Sequence, residues 1–183
     1  GLSLLEKNES VVQLRSEEAP MLNNLGSGHY LVHYQDDADF HAIVERLAGP
    51  DALAESKINS LNDLALLSRG GQASITDTLD LVARLTQEER EPVWSLMSRG
   101  IGMAAGIAEF NEPVEAALRA FRLKLAKPKY DKLGWDDHDG EDPNTTLLRA
   151  TIAGIMIATE DKAMIDFVLN KYNPGSIEQL PAD

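Results

Sequence analysis

The sequence contains no cysteine, which removes disulfides, thiolate zinc sites and cysteine nucleophiles from consideration together. It has no apolar run near the roughly 18 residues that a membrane-spanning helix needs, so no membrane partner is expected. Positive charge is scarce: 17 Lys and Arg stand against 30 Asp and Glu, a formal charge of −13 at pH 7. That surplus of carboxylates repels phosphate backbones and anionic lipid, and nucleic acid is not an expected partner. The missing cysteines lean mildly toward a cytoplasmic setting, and residues 1–10 lack the basic and apolar regions of a secretory signal. Motifs of several reaction types are absent too. Gly26-Ser27-Gly28 has neither the spacing of a Gly-x-Ser-x-Gly elbow nor a helix after it, and no glycine-rich loop is built to cradle phosphate.

What is present fits a soluble globular chain: 183 residues, 43% hydrophobic and 26% charged. Its organising stretch is Leu22 to Tyr34, where hydrophobic periodicity changes from two to 3.6. Asn24, Gly26, Ser27 and Gly28 read as a turn, and Tyr30, Val32 and Tyr34 then alternate with His29, Leu31 and His33 as a strand does. Upstream, residues 3–15 read as strand-turn-strand around Asn8, Glu9 and Ser10. Two strands without a second layer are marginal alone, and the first residue is Gly1 and not Met. The expectation is therefore a chain cut from something larger.

From Asp36 onward the pattern is helical. Phe40, Ile43, Val44 and Leu47 share a face before Gly49-Pro50. A second helix from about Ala54 to Arg69 has Ile58, Leu61, Leu64, Ala65 and Ser68 inward and stops at Gly70-Gly71. Ser74 with Asp77 resembles a capping box for a short helix carrying Leu79, Val82 and Leu85, and Thr86 with Glu89 forms another before Pro92. The helix that follows runs to about Phe110 with Trp94, Met97, Ile101, Ala104, Ala105 and Ala108 inward. Gly100, Gly102 and Gly106 within it are expected to permit close helix packing. A fifth helix begins at Asn111-Glu112-Pro113 with Val114, Ala117, Leu118, Phe121 and Leu125 on its face, and yields near Pro128 to an acidic loop. Asp142-Pro143 opens a sixth, with Leu148, Ile152, Ile155 and Met156 inward. Thr159 is the expected cap of a seventh, with Met164, Phe167 and Val168 inward, and Ser176 with Gln179 opens another. The helices pair into units of about 35 to 45 residues, as in an antiparallel helical-hairpin solenoid of HEAT or armadillo type.

The candidate chemistry is thin. His29 and His33 have the spacing of a zinc-binding His-Glu-x-x-His, but Tyr30 holds the Glu position, and on a strand the two rings would stand roughly 13 Å apart. His41 lies on a polar helix face, where solvation is expected. The acidic run Asp136, Asp137, Asp139, Glu141 and Asp142 invites a calcium reading. With Gly140 at the sixth position of an EF-hand loop, the first ligand position is Trp135 and the twelfth Thr146, so a solvated loop is expected. The acidic surface as a whole reads as a solubility feature, or as a cavity wall favouring cationic peptides. Glu141 is expected to pair with Arg149, two turns into the sixth helix.

Three separated stretches together resemble the aminopeptidase N family of zinc metallopeptidases. In the first, Leu22-Asn23, Gly28, Tyr30, Val32 and Tyr34 are similar to a Leu-Asn, glycine turn, Tyr-Tyr-Arg-Val-x-Tyr pattern, with His29 and Leu31 departing from it. The second is Lys57 to Gly70, followed at Trp94 by a Glu-x-x-x-x-Trp pattern. The third is Leu133-Gly134-Trp135, Gly140-Glu141 and Leu147-Leu148-Arg149. The resemblance runs in order through nearly the whole chain. It implies a mainly α fold, with residues 1–35 as the end of a β-sandwich and residues 36–183 as a truncated C-terminal helical superhelix. It marks Gly28, Tyr30, Val32, Tyr34, Trp94, Gly134, Trp135, Glu141 and Arg149 as structural positions, and gives this chain no catalytic or metal-ligating residue.

The parent enzyme that the resemblance implies is a hydrolase removing amino-terminal residues from peptides with one zinc ion, which is bound in an upstream catalytic domain of the same polypeptide. The His-Glu-x-x-His, Gly-x-Met-x-Asn and transition-state Tyr of that domain do not occur here, so the fragment alone is expected to be inactive. Two other readings compete: a free-standing helical-repeat scaffold for a protein partner, and a small metal-dependent hydrolase built on the Asp136 to Asp142 loop.

Overall fold

A computed structural model of the chain describes residues 19–24, 26 and 28–171. The strand-turn-strand reading of residues 3–15 and the helix expected from Ser176 lie outside them. Seven helices and no strand occur among the described residues: α1 Asp37–Ala48, α2 Ala54–Arg69, α3 Ile75–Arg84, α4 Glu91–Ala108, α5 Glu112–Leu133, α6 Pro143–Ile157 and α7 Lys162–Lys171.

The helix starts follow local chemistry. Asp36 caps α1 by accepting from the N–H groups of Ala38 and Asp39 at 2.9 and 3.1 Å, and Ser74 caps α3 through the N–H of Thr76. Pro92, Pro113 and Pro143 sit in first turns, where no N–H is needed. Two expected caps are displaced. Thr86 does not open α4, whose first residue is Glu91, because the Glu88 carboxylate takes the N–H groups of Glu89 and Arg90. For α7 the capping acceptor is Asp161, at 3.1 Å from the N–H of Met164, while the Thr159 hydroxyl turns back to the carbonyl of Met156. The fifth helix also runs five residues past Pro128. Leu125, Ala126 and Lys129 are buried on both sides of that proline and hold the helix across its missing donor.

The strand expected over Tyr30, Val32 and Tyr34 is not formed among the described residues. A strand exists only with a partner, and the Val32 N–H instead donates to Asp63 Oδ2 at 3.0 Å. The alternation survives in part: Val32 and Tyr34 are half-buried and Tyr30 is exposed.

Lys57 of α2 meets Glu88 just before α4, Asn62 meets Arg99, and Glu91 of α4 meets Asn144 of α6. These contacts fix α2, α4 and α6 side by side and parallel. The layer α2, α4, α6 is packed along its length; α3 lies against α2 and α4, α1 against α3, α5 against α4 and α6, and α7 against α6. Between them sits one main core of Phe40, Leu47, Leu61, Leu81, Trp94, Met97, Ile101, Leu125, Leu148 and Ile152. Gly100 permits the α3–α4 approach, since a Cβ there would stand 2.8 Å from Thr78 Cγ2. Gly102 and Gly106 do not act that way: both face open space. The α5 stripe is also narrower than its periodicity implies, with Leu118 and Leu125 buried but Val114 and Ala117 exposed.

Candidate functional site

Three clusters collect the positions singled out in the sequence. In the first, the segment from Ala19 to Tyr34 is strapped onto α1 and α2. The Asn23 side chain spans the turn, with its Oδ1 taking the Gly28 N–H at 2.8 Å and its Nδ2 donating to the Gly28 carbonyl at 3.1 Å. The Tyr34 hydroxyl donates to the Pro20 carbonyl at 2.8 Å and accepts from the Leu22 N–H at 3.0 Å. Burial raises that phenol's pKa, against the opposing pull of the Leu22 N–H. Arg46 reaches the Ala19 carbonyl and Ser56 the Asn24 carbonyl, at 2.8 and 2.6 Å. Asp63 is buried beneath Val32, and its carboxyl pKa is raised by burial more than the Val32 N–H lowers it. The ring of Tyr30 lies over Gly28, where an added Cβ would sit 2.1 Å from ring Cε1.

In the second cluster Trp94 is completely buried and its indole N–H donates to the Glu88 carbonyl at 2.8 Å. Glu88 is itself buried and pairs with the buried Lys57 ammonium at 2.7 Å. Burial pushes the Glu88 carboxyl up, but the Lys57 hydrogen bond and the Glu89 and Arg90 N–H groups outweigh it, so its pKa lies below the usual value. Glu89 turns the other way to Lys129 at 2.9 Å, which lowers its pKa as well. Asn144 joins the corner to α6 by donating to the Glu89 carbonyl and accepting from the Glu91 N–H, both at 3.0 Å.

The third cluster closes the α5–α6 loop. Gly134 ends α5 at φ +71 and ψ −170, a conformation that glycine takes without strain. Arg149 is buried and forms the expected pair with Glu141, Nη1 to Oε2 at 2.6 Å and Nη2 to Oε1. It also reaches Asp137 at 2.8 Å and, through Nε, the Leu133 carbonyl at 3.2 Å. That hydrogen-bonding holds the Glu141 carboxyl below its usual range and raises the Arg149 guanidinium above its own. Trp135 meets Phe167 of α7 edge to face at 5.3 Å, and Asp136 pairs with Lys171. The acidic loop is thus held by an arginine and a lysine. Among the described residues no three His, Asp or Glu side chains converge on a point where a cation could sit.

All nine marked positions lie in these clusters. Residues 21–183 match the family model described as ERAP1-like C-terminal domain. The chain belongs to that family. The relatives of this ERAP1-like domain are aminopeptidases. It is 28% identical to the aminopeptidase N of Lactococcus lactis subsp. cremoris, covering 91% of this chain and 20% of that protein. It is 26% identical to the mitochondrial aminopeptidase 2 of Saccharomyces cerevisiae, over 98% of this chain and 19% of the relative. It is 31% identical to human endoplasmic reticulum aminopeptidase 1, over 73% of this chain and 15% of the relative. The chain spans about a fifth of the length of the first relatives it matches.

One feature of the ERAP1-like domain was not singled out in the sequence. Between Glu91 and Glu109 the only charged residue is Arg99, and between Asp142 and Glu160 the only one is Arg149, which is buried. The exposed side of α4 and α6 therefore carries Gly102, Gly106, Ile107, Leu147, Gly154 and Ile157 with a single cation. Acidic side chains gather on α1, α3 and α5 instead, at Asp37, Asp39, Asp77, Asp80, Glu112 and Glu115. Where that uncharged side meets α2, Asn62, Ala65, Leu66, Arg69, Arg99 and Met103 line an open cleft of about 370 Å³.

Proposed function

We propose that this chain is the non-catalytic helical domain of a zinc-dependent aminopeptidase that removes N-terminal residues from peptides. The α2–α4–α6 side covers the active site and limits which substrates reach it. Residues 1–35 end a preceding β-sandwich and residues 36–183 form the first part of a helical superhelix. The partner is the catalytic domain of the same polypeptide, and the substrates are peptides.

The observation that carries this reading is the nearly uncharged exposed side of α4 and α6 in a chain of net charge −13. Exposed apolar side chains gathered on one side mark a surface made to be covered. The layering supports it: α2, α4 and α6 pack closely in succession while α1, α3 and α5 touch each other less. The zinc ion of that enzyme is assigned to the catalytic domain, on the likeness to aminopeptidases several times longer than this chain. No support remains for the free-standing scaffold, because the relatives named above are all several times longer, and no ligand set supports a hydrolase on the Asp136 to Asp142 loop. No described helix is long and apolar enough to cross a membrane. A cytoplasmic location rests on composition alone.

The test uses the polypeptide encoded upstream of this chain, produced separately and mixed with it. Association is expected, with hydrolysis of long peptides slowed relative to a single amino-acid anilide. Gly106→Glu places a charge on the uncharged side without a clash, since that position faces open space, and it should abolish association while leaving the fold intact. Failure to associate, or an unchanged ratio of long to short substrates, overturns the reading.

A further inference from the structure

We infer that the exposed ridge of α4 is a self-association surface, on which a second copy of this chain packs with its own α4 antiparallel across a twofold axis. The inference goes beyond the proposed role of the domain, since it concerns what covers this side when the catalytic domain is not there. Its starting point is charge. Two chains of −13 each repel over most of their surface, and the side on which they can meet is the one that carries few carboxylates.

Ser95, Arg99, Gly102, Gly106 and Glu109 are all exposed and recur at steps of three and four residues, so they form one line along α4 and its cap. That line is complementary to itself. Setting two copies antiparallel about Ala104 places Gly102 of each opposite Gly106 of the other, and Arg99 of each opposite Glu109 of the other. Within one chain Arg99 and Glu109 stand about 15 Å apart along the helix, too far to pair. Neither forms an ion pair among the described residues. Glu109 borders a cleft with Arg119 and Arg122, but Arg119 is taken up by Glu112, Glu115 and Glu160, and Arg122 donates to the Ala158 carbonyl.

Two further features gain a reason from the same arrangement. Gly102 and Gly106 each cost helix stability against Ala, and neither recovers it inside the chain, since an added Cβ there meets nothing within 4 Å. Opposite one another they let two helix backbones approach to the short end of the usual range of about 8–10 Å. Phe110 follows the ridge at 92% exposure and φ +68, the left-handed region that strains a bulky side chain. Its ring buries almost nothing in its own chain. The twofold axis carries it beside the Arg99 guanidinium of the other copy, where a cation meets an aromatic face.

One helix pair is a small contact, so sedimentation equilibrium of the 183-residue chain is expected to show a weak dimer, with a Kd of about 10–100 µM. Each contact occurs twice across a twofold axis. Arg99→Glu and Glu109→Arg therefore each set like charges opposite one another at two places, and each should weaken the dimer at least about tenfold. Mixed in equal amounts, the two variants face each other with opposite charges and should pair as tightly as the parent does with itself. Gly102→Leu should abolish the dimer and leave the circular dichroism of the parent, because that position faces open space. A chain that stays monomeric to about 1 mM, a dimer that survives Gly102→Leu, or charge variants that stay apart on mixing overturns the inference. The chain is measured alone, so failure here leaves the association test of the proposed function untouched, and failure of that association leaves a measured dimer standing.

Discussion

Helices α2 and α4 handle charge in opposite ways along their shared length. At their starts Lys57 and Glu88 are both buried, 2.7 Å apart, beneath an indole that donates to the Glu88 carbonyl. Toward the end of α2, Arg69 and Arg99 stand exposed with no acid between them. A buried ion must be neutralised or its desolvation is not recovered, so the first site closes on itself. An exposed arginine keeps its hydration at little cost and can exchange water for a partner. The same two helices thus carry buried, paired charge at one end and exposed, hydrated charge at the other.

The comparison breaks first at the closed end. Glu88→Gln keeps an acceptor for the Glu89 and Arg90 N–H groups but strands the Lys57 ammonium, and Lys57→Met strands the Glu88 carboxylate. Each should cost about 3 kcal/mol in urea unfolding. The double variant removes both charges and should recover most of that loss. If the two single losses simply add, the pair is not coupled and the buried corner is held by Trp94 and its neighbours instead.

The helical content was legible because much of the helix punctuation here is chemical: Gly49-Pro50 and Gly70-Gly71 follow helix ends and Asp142-Pro143 opens α6. α2 was placed from Ala54 to Arg69, as observed. What could not be read were contacts between residues far apart in the chain. Lys57 and Asp63 look like ordinary polar positions of an amphipathic helix, yet both are buried, because their partners Glu88 and Val32 arrive from other segments. Pro128 read as a terminus since local propensity opposes it, and burial of Leu125, Ala126 and Lys129 overrode that propensity. The Tyr30 to Tyr34 alternation was real, but period two records only which side chains turn inward, and pairing needs a second strand. Glu141 and Arg149 paired as expected because both lie within one loop and the helix it opens. The uncharged side of α4 and α6 was visible as two long gaps between acidic residues, and needed only the parallel placement of those helices to become a surface.

Acid should sharpen the contrast by an intermediate amount. The Glu88 and Glu89 carboxyls have folded-state pKa values below their unfolded ones, so their contribution is complete above the ordinary carboxylate value of about 4.3 and is lost as pH falls through the folded values. Asp63 works in the opposite sense. Its folded pKa is raised, so the folded state takes up that proton more readily and gains relative stability as pH falls. Urea midpoints between pH 7 and pH 3 should therefore fall, more steeply in Asp63→Asn, where the compensating group is gone, and less steeply in Lys57→Met/Glu88→Gln. A slope unchanged in both variants would detach acid sensitivity from the closed corner.

The smallest effect is the most informative about the open end. Arg69 and Arg99 are exposed and form no ion pair among the described residues, so Arg99→Gln should change unfolding free energy by no more than about 0.5 kcal/mol. Its one side-chain hydrogen bond among the described residues, to Asn62, is on the surface and worth little. Arg69 occupies the last turn of α2, where a cation faces the negative end of the helix dipole, so Arg69→Gln should cost slightly more, about 0.3 to 1 kcal/mol, and that excess should fade with added salt. A loss near 3 kcal/mol for either arginine would mean that it is engaged within the folded chain as Lys57 is, and the contrast between the two ends would fail.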